Sequence, residues 1–193
     1  MILDVFLTVS STLWMLVVYF IKATAIIGND EIQKNICTLN ENIVITEFQA
    51  VCLKYCIWFL VIVLPIIISY LSIRLISKLD KDEINGECLN IEETNNSFLP
   101  AYLGYFFVSL SVATLDVMIV IYLMVFVLTM SSQIQYYNPA FLILGYKFYF
   151  VVTSNGIRVF LITKRNIRSS KEISFKNLRR INNNSFFELE GND

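Results

Sequence analysis

Between Phe98 and Met130 the chain reads FLPAYLGYFFVSLSVATLDVMIVIYLMVFVLTM, 33 residues almost without polar interruption and with one acid, Asp116, near the middle. A bilayer's hydrocarbon core needs roughly 20 apolar residues of helix. A run this long predicts a membrane helix that tilts or extends past the headgroups. Pro100 falls in the first turn, where a helix tolerates proline. Asn138-Pro139 closes the region beyond. After Gly104 no Gly or Pro interrupts the run, so one continuous helix over 98–130 is expected.

Two more stretches have the same character. Val5 to Ile21 is the first; Lys22 can snorkel, which extends the first span over 1–27 until Gly28-Asn29-Asp30 stops it. Val51 to Ile76 is the second, bracketed by Lys54 and Arg74, with Trp58 and Tyr70 near its ends as interface aromatics and Pro65 inside. Residues 28–50 read as a connecting loop and 77–97 as an acidic surface loop with an Asn85-Gly86 turn. Residues 131–146 read as a juxtamembrane segment, in which Ala140 to Leu144 is too short to cross a bilayer and is expected at the interface as a short anchor. The chain as a whole is 56% hydrophobic and 16% charged, against about 25% charged in soluble domains, which places it among integral membrane proteins.

From Lys147 the period changes. KFYFVVT and IRVFLIT are β-branched and aromatic runs joined by Ser154-Asn155-Gly156, a hairpin signal. Apolar positions from Ile173 to Leu189 supply two further short strands. The expected architecture is therefore three transmembrane helices followed by a small, basic, β-rich cytoplasmic domain over 147–193. A fourth span would have to recruit Phe148 to Val152 across Lys147.

Charge orients this scheme. Residues 147–193 carry nine basic side chains and four acids, whereas 1–146 carry six and twelve. Basic residues stay on the cytoplasmic side, so the C-terminus is expected inside. Three spans then put the N-terminus outside, 28–50 inside and 77–97 outside; with four spans the N-terminus flips inside while the tail stays. The start of the chain lacks the basic region and cleavage site of a signal peptide.

Asp116 is the sharpest candidate for function. An acid at mid-membrane costs several kcal/mol and should face protein, water or a cation. Helical spacing would align Tyr102, Tyr105, Ser109 and Asp116 along one stripe, with Ser109 and Ala113 allowing close helix approach. Such an acid either senses, gates or conducts within an assembly, or is structural and bonded to hydroxyls such as Ser10 or Ser11. The basic tail offers Arg158, Lys164, Arg165, Arg168, Lys176, Arg179 and Arg180 as candidates for docking a protein partner, in preference to nucleic acid. Cys37, Cys52, Cys56 and Cys88 lack histidine partners and paired C-x-x-C spacing, so they read as thiols buried beside or within the membrane. There is no His, no G-x-S-x-G and no phosphate-binding glycine loop. An enzyme is not expected, nor any cofactor.

The segment YYNPAFLILGYKFYFVVTSNGIRVFLITKR, Tyr136 to Arg165, carries a family resemblance. With the preceding spans and the close IRSSKEISFKNLRRINNNSFFEL, it resembles the KwaA family, membrane subunits of bacterial Kiwa anti-phage defence systems. The resemblance implies a homo-oligomeric protein of the bacterial inner membrane, with four spans where the sequence defends three. It implies a protein that registers phage attachment or membrane disturbance and works with a soluble cytoplasmic effector resembling KwaB, docked on the cytoplasmic end. No active-site residue carries over. The function expected is thus a membrane sensor or scaffold. A small oligomeric channel lined by the Tyr102–Asp116 stripe, or a membrane toxin or immunity protein, are the alternatives.

Overall fold

The computed structural model describes residues 2–26, 47–84, 88–97, 99–132, 137–153, 156–167 and 175–189. Helix α1 (Ile2–Ile26) and helix α2 (Glu47–Ile76, continuous through Pro65) lie side by side. The long apolar run does not form one helix. It breaks at 112–114 into α3 (Leu99–Ser111) and α4 (Leu115–Ser132). The break has local chemistry that hydropathy hides. The last amide bond of α3 runs from Val112 N–H to the Val108 carbonyl, and the Lys22 ammonium of α1 donates to the Val112 carbonyl at 2.7 Å. One of the carbonyls left over at a helix end is thereby satisfied. Thr114 then starts α4 as its N-cap, its carbonyl accepting from Met118 N–H.

Helix α1 is the hub: it packs against α2, α3, α4 and the short helix α5 (Pro139–Ile143). Met15, Tyr19 and Met118 form the centre of the α1–α3–α4 contact. Helices α1, α2 and α4 are each long and apolar enough to cross a membrane, whereas α3, with 13 residues, is a shorter apolar helix of about 20 Å. The outer faces of α2 and α4 are apolar and open, with Phe59, Leu60, Leu123 and Leu128 all more than half exposed.

The remaining elements are strands β1 (Lys81–Ile84), β2 (Cys88–Glu93), β3 (Lys147–Thr153), β4 (Arg158–Thr163), β5 (Phe175–Asn182) and β6 (Ser185–Glu188). The predicted hairpin forms as β3–β4, closed near Gly156 at φ +74, where glycine carries no steric cost. All six strands make one sheet in the order β1-β5-β6-β4-β3-β2, antiparallel except for the β4–β6 pair. The two strands between α2 and α3 therefore form opposite edges of a sheet whose centre comes from the C-terminal region. Ile84 and Cys88 are only four residues apart, so their Cα atoms lie within about 15 Å. Six flat strands would hold the edges about 24 Å apart. The sheet must curl.

Curling gives each face its own core. Tyr149, Val151, Val159, Leu161, Leu178 and Phe186 pack together with Ile91 and Ile167, so this face closes on itself. Phe148, Phe160, Ile162 and Phe187 on the other face pack against Leu7 of α1, Ile76 of α2, Phe141 of α5 and Tyr146.

This arrangement corrects the expected sidedness. The segment 77–97 and the region from 147 were expected on opposite sides of a membrane; their strands share one sheet. The N-terminus was expected opposite the C-terminus, yet Leu3 and Leu7 pack at the sheet. The fourth apolar helix arises from the break at 112–114, not from Phe148 to Val152, which lie in β3. The α3–α4 pair is a helical hairpin that leaves the sheet and returns to it. Nor is the segment around Ala140 to Leu144 a surface anchor: Ala140 and Phe141 are fully buried between helices and sheet.

Candidate functional site

Where the helices meet the sheet, the chain builds a buried polar node on Asn138, which is fully buried. Its backbone is extended (φ −97, ψ 121), and its Oδ1 accepts from Ala140 N–H at 3.0 Å, so it caps α5 with Pro139 in the first turn. Its amide nitrogen donates to Ser10 Oγ of α1 and Ser69 Oγ of α2, both at 2.8 Å. Each serine passes its own proton on, Ser10 to the Leu7 carbonyl and Ser69 to the Pro65 carbonyl. Every member of the network is satisfied, the condition under which a buried polar network specifies one arrangement. One side chain thus ties α1, α2 and the element leading into β3.

A second set of polar contacts joins α3 and α4 to α1. Tyr102 shares its hydroxyl proton between the carbonyls of Ser11 (3.1 Å) and Tyr137 (3.2 Å). Ser109 donates to the Met15 carbonyl at 2.8 Å, Thr12 to Tyr122 Oη at 3.3 Å, and Tyr105 and Thr129 share a bond of 3.3 Å. Tyr137, which receives Tyr102, packs against Phe160 at 4.7 Å and Phe148 at 5.7 Å. Burial pushes its phenol above the ordinary tyrosine range, so it stays neutral at any physiological pH.

The expected stripe is therefore divided. Tyr102, Tyr105 and Ser109 do lie on α3 and face into the protein, but their partners are α1 and α4 of the same chain. Asp116 is not among them. The helix break moves it from mid-span to the first turn of α4, exposed, at the end of the bundle remote from the sheet. There an acid complements the helix dipole, and neither Ser10 nor Ser11 is its partner. At that same end Trp58 donates its indole N–H to Thr24 at 2.8 Å with Lys54 over its ring, while Arg74 lies over Tyr70 toward the other end. Lys54 and Arg74 stand 20 residues apart along α2, about 30 Å, the thickness of a hydrocarbon core.

The docking candidates are largely engaged within the chain. Arg158 pairs with Glu92 at 3.1 Å and lies over Phe150. Arg165 forms an ion pair with Glu188, whose other partner is Thr163. Arg179 donates to the Leu79 carbonyl, Arg180 lies 3.9 Å from Asp82, and Lys164 sits over Tyr146. Arg168 and the side chain of Lys176 fall outside the described residues. Asp82 and Glu92 belong to the acidic segment, so the acidic loop and basic tail meet each other in the sheet. The thiols of Cys52 and Cys56 lie on the outward face of α2, within the apolar stretch long enough to cross a membrane, and are not covered by protein; Cys37 and the Cys88 side chain fall outside the described residues.

Three apolar helices gather on a central one, three of these four are long and apolar enough to cross a bilayer, and a curled sheet lies across one end. The family model of the anti-phage protein KwaA matches residues 3–187, and the chain belongs to that family. No curated protein and no solved structure matches it.

Sequence reasoning did not find Asn138, Ser69 or Lys22 as site residues. Asn138-Pro139 registered only as a stop. The signal available was a cap-type residue directly before a proline in an otherwise apolar context, which is a helix start as much as a chain stop.

Proposed function

We propose that the chain is a non-enzymatic sensor and scaffold of anti-phage defence in the bacterial inner membrane, which assembles with copies of itself and recruits a soluble effector through its sheet. The observation that carries this reading is the Asn138 node, a direct polar link from the helices to the sheet. Helix α2 presents the most apolar surface outward and holds Pro65, which removes one backbone bond and leaves a place to bend. Ser69, bonded to the Pro65 carbonyl, is one of the two serines that hold Asn138. A change in the bilayer that repacks α2 reaches α5 and β3 through that contact. Two packings of unequal free energy are required, and whatever is sensed must favour one of them.

Orientation follows from the basic residues. Of fifteen Lys and Arg, three lie from Lys22 to Lys54, of which Lys22 on α1 and Lys54 on α2 stand at the bundle end away from the sheet. The other twelve lie from Arg74 onward, none of them in α3 or α4. That asymmetry supports a cytoplasmic position for the sheet, the N-terminus and the segment 77–97, with the four apolar helices crossing or entering the membrane. A channel along Tyr102, Tyr105 and Ser109 is disfavoured, because those hydroxyls are spent on contacts within the subunit.

The test is an affinity pull-down of the tagged chain from its native cell in mild detergent. Deleting 147–193 would remove four of the six strands, so the comparison uses R158E/R180E on the exposed sheet surface. A stoichiometric soluble protein, present with the parent and lost with the variant, is the expected result. A homo-oligomer without any soluble companion would overturn the scaffold reading.

A further inference from the structure

The helices differ in reach. On α2, Lys54 and Arg74 stand about 30 Å apart, a full hydrocarbon thickness. On α4, Asp116 stands 16 residues before the helix end at Ser132, about 24 Å. The 13 residues of α3 span about 20 Å. Tilt would shorten the reach of α3 and α4 further. Contacts place their tip independently. Lys22 of α1 meets the Val112 carbonyl, and Thr24, two residues on, accepts from Trp58 of α2. The tip therefore lies near the level of Trp58, which stands 16 residues from Arg74, again about 24 Å. Past that level α2 continues for 11 residues to Glu47, about 16 Å. The hairpin stops about 6 Å short of the thickness that α2 matches. Its tip is polar and uncovered: Ser111, Thr114 and Asp116 are all exposed. An acid below headgroup level is costly, and local thinning of the bilayer relieves the cost. A lysine could climb out on its long stem, whereas an aspartate has none.

We propose that the lipid leaflet remote from the sheet dips over the α3–α4 tip, so that this side of the molecule fits a thinned bilayer of short acyl chains. The proposal rests on the membrane reading above, but not on which side of the membrane the sheet faces. The surface of the hairpin chooses lipid as its occupant. Leu103, Phe107, Met124 and Leu128 are apolar and uncovered along its length, and polar groups begin where it ends. A short apolar reach is accommodated by thinning the surrounding bilayer, at a cost that grows with the mismatch. Lys22 ties the tip to α1, so the tip does not rise on its own toward a distant headgroup layer. A bilayer too thick for the hairpin therefore pulls on α1, the helix that carries Ser10 of the Asn138 node.

The full chain is reconstituted into vesicles of monounsaturated phosphatidylcholines whose acyl chains run from about 14 to about 22 carbons. The melting midpoint is read from tryptophan fluorescence. It is expected to be highest in the shortest-chain lipids and to fall by roughly 5 °C toward the longest. S111L/D116L leaves the Thr114 cap in place and makes the tip more apolar, so it should lose most of that fall. Should S111L/D116L melt early in every membrane, D116L alone reads the same quantity. A midpoint independent of chain length, or highest in the longest chains, overturns the proposal; a second copy covering the tip would give the flat profile. A fall as large in both variants as in the parent overturns it too. Failure of the parent chain to resist carbonate extraction from native membranes would instead sink the membrane reading itself, independently of any preference for chain length.

Discussion

Asn138 and Asp116 show how little residue type alone says about importance in an apolar chain. Asn138 is surrounded by protein and makes three hydrogen bonds. Asn138→Ala removes a helix cap worth about 1 kcal/mol and leaves two buried hydroxyls short of a donor, each costing about 1 kcal/mol. A destabilisation of about 2–3 kcal/mol is expected, read as a lowered melting midpoint in detergent. Asn138→Asp should be worse, because it puts a carboxylate in the same sealed site. Asp116, by contrast, is exposed in a first helical turn. Asp116→Asn should shift stability by no more than about 0.5 kcal/mol, with assembly unchanged by size-exclusion chromatography. A large loss of either would put the acid back among buried partners.

At the scale of elements, two ion pairs of the sheet cross between the acidic segment and the C-terminal region, and a third lies within the latter. Arg158–Glu92 and Arg180–Asp82 are exposed and contribute little. Arg165–Glu188 differs, because the Glu188 side chain is only 10% exposed. Arg165→Met strands that carboxylate beside Thr163 and should cost about 2 kcal/mol; Arg165→Met/Glu188→Leu should recover most of it. Comparing the midpoints of the single and double variants checks this, and a double variant as unstable as the single would show that the site needs its charge. The curl of the sheet follows from the same pairing: β1 and β2 cannot occupy opposite edges across three intervening residues unless those edges converge.

At the scale of the molecule, the sheet fixes sidedness more tightly than charge counting. Strands from 81–93 and from 147–188 hydrogen-bond to one another, so both segments lie on one side of any membrane the helices cross. A fluorescent-protein fusion after Asn96 and one at the C-terminus should both fluoresce in a bacterial cell, and alkaline phosphatase fused at the same two places should be inactive. Activity at one place and fluorescence at the other would contradict the shared sheet. The helical hairpin of α3 and α4 makes this possible: it returns the chain to its starting side.

What the sequence determined by itself is what composition and short-range pattern control. The apolar runs, the placement of Pro100 in a first turn, the Asn-Gly hairpin of β3 and β4 and the two strands after it were all legible, because helix and strand periods are local properties. The family was legible too, in the stretch from Tyr136 to Arg165. Tertiary structure decided the rest. At the break at 112–114 the Val112 carbonyl is met by Lys22, 90 residues away in the chain, and no hydropathy window registers such a partner. The edge strands β1 and β2 read as an acidic loop, since they are strands only when the C-terminal region supplies their neighbours. Asn138 looked like a stop until Ser10 and Ser69 closed around it. Each is a long-range pairing, and the free energy of such a contact exists only once the fold has brought its two ends together.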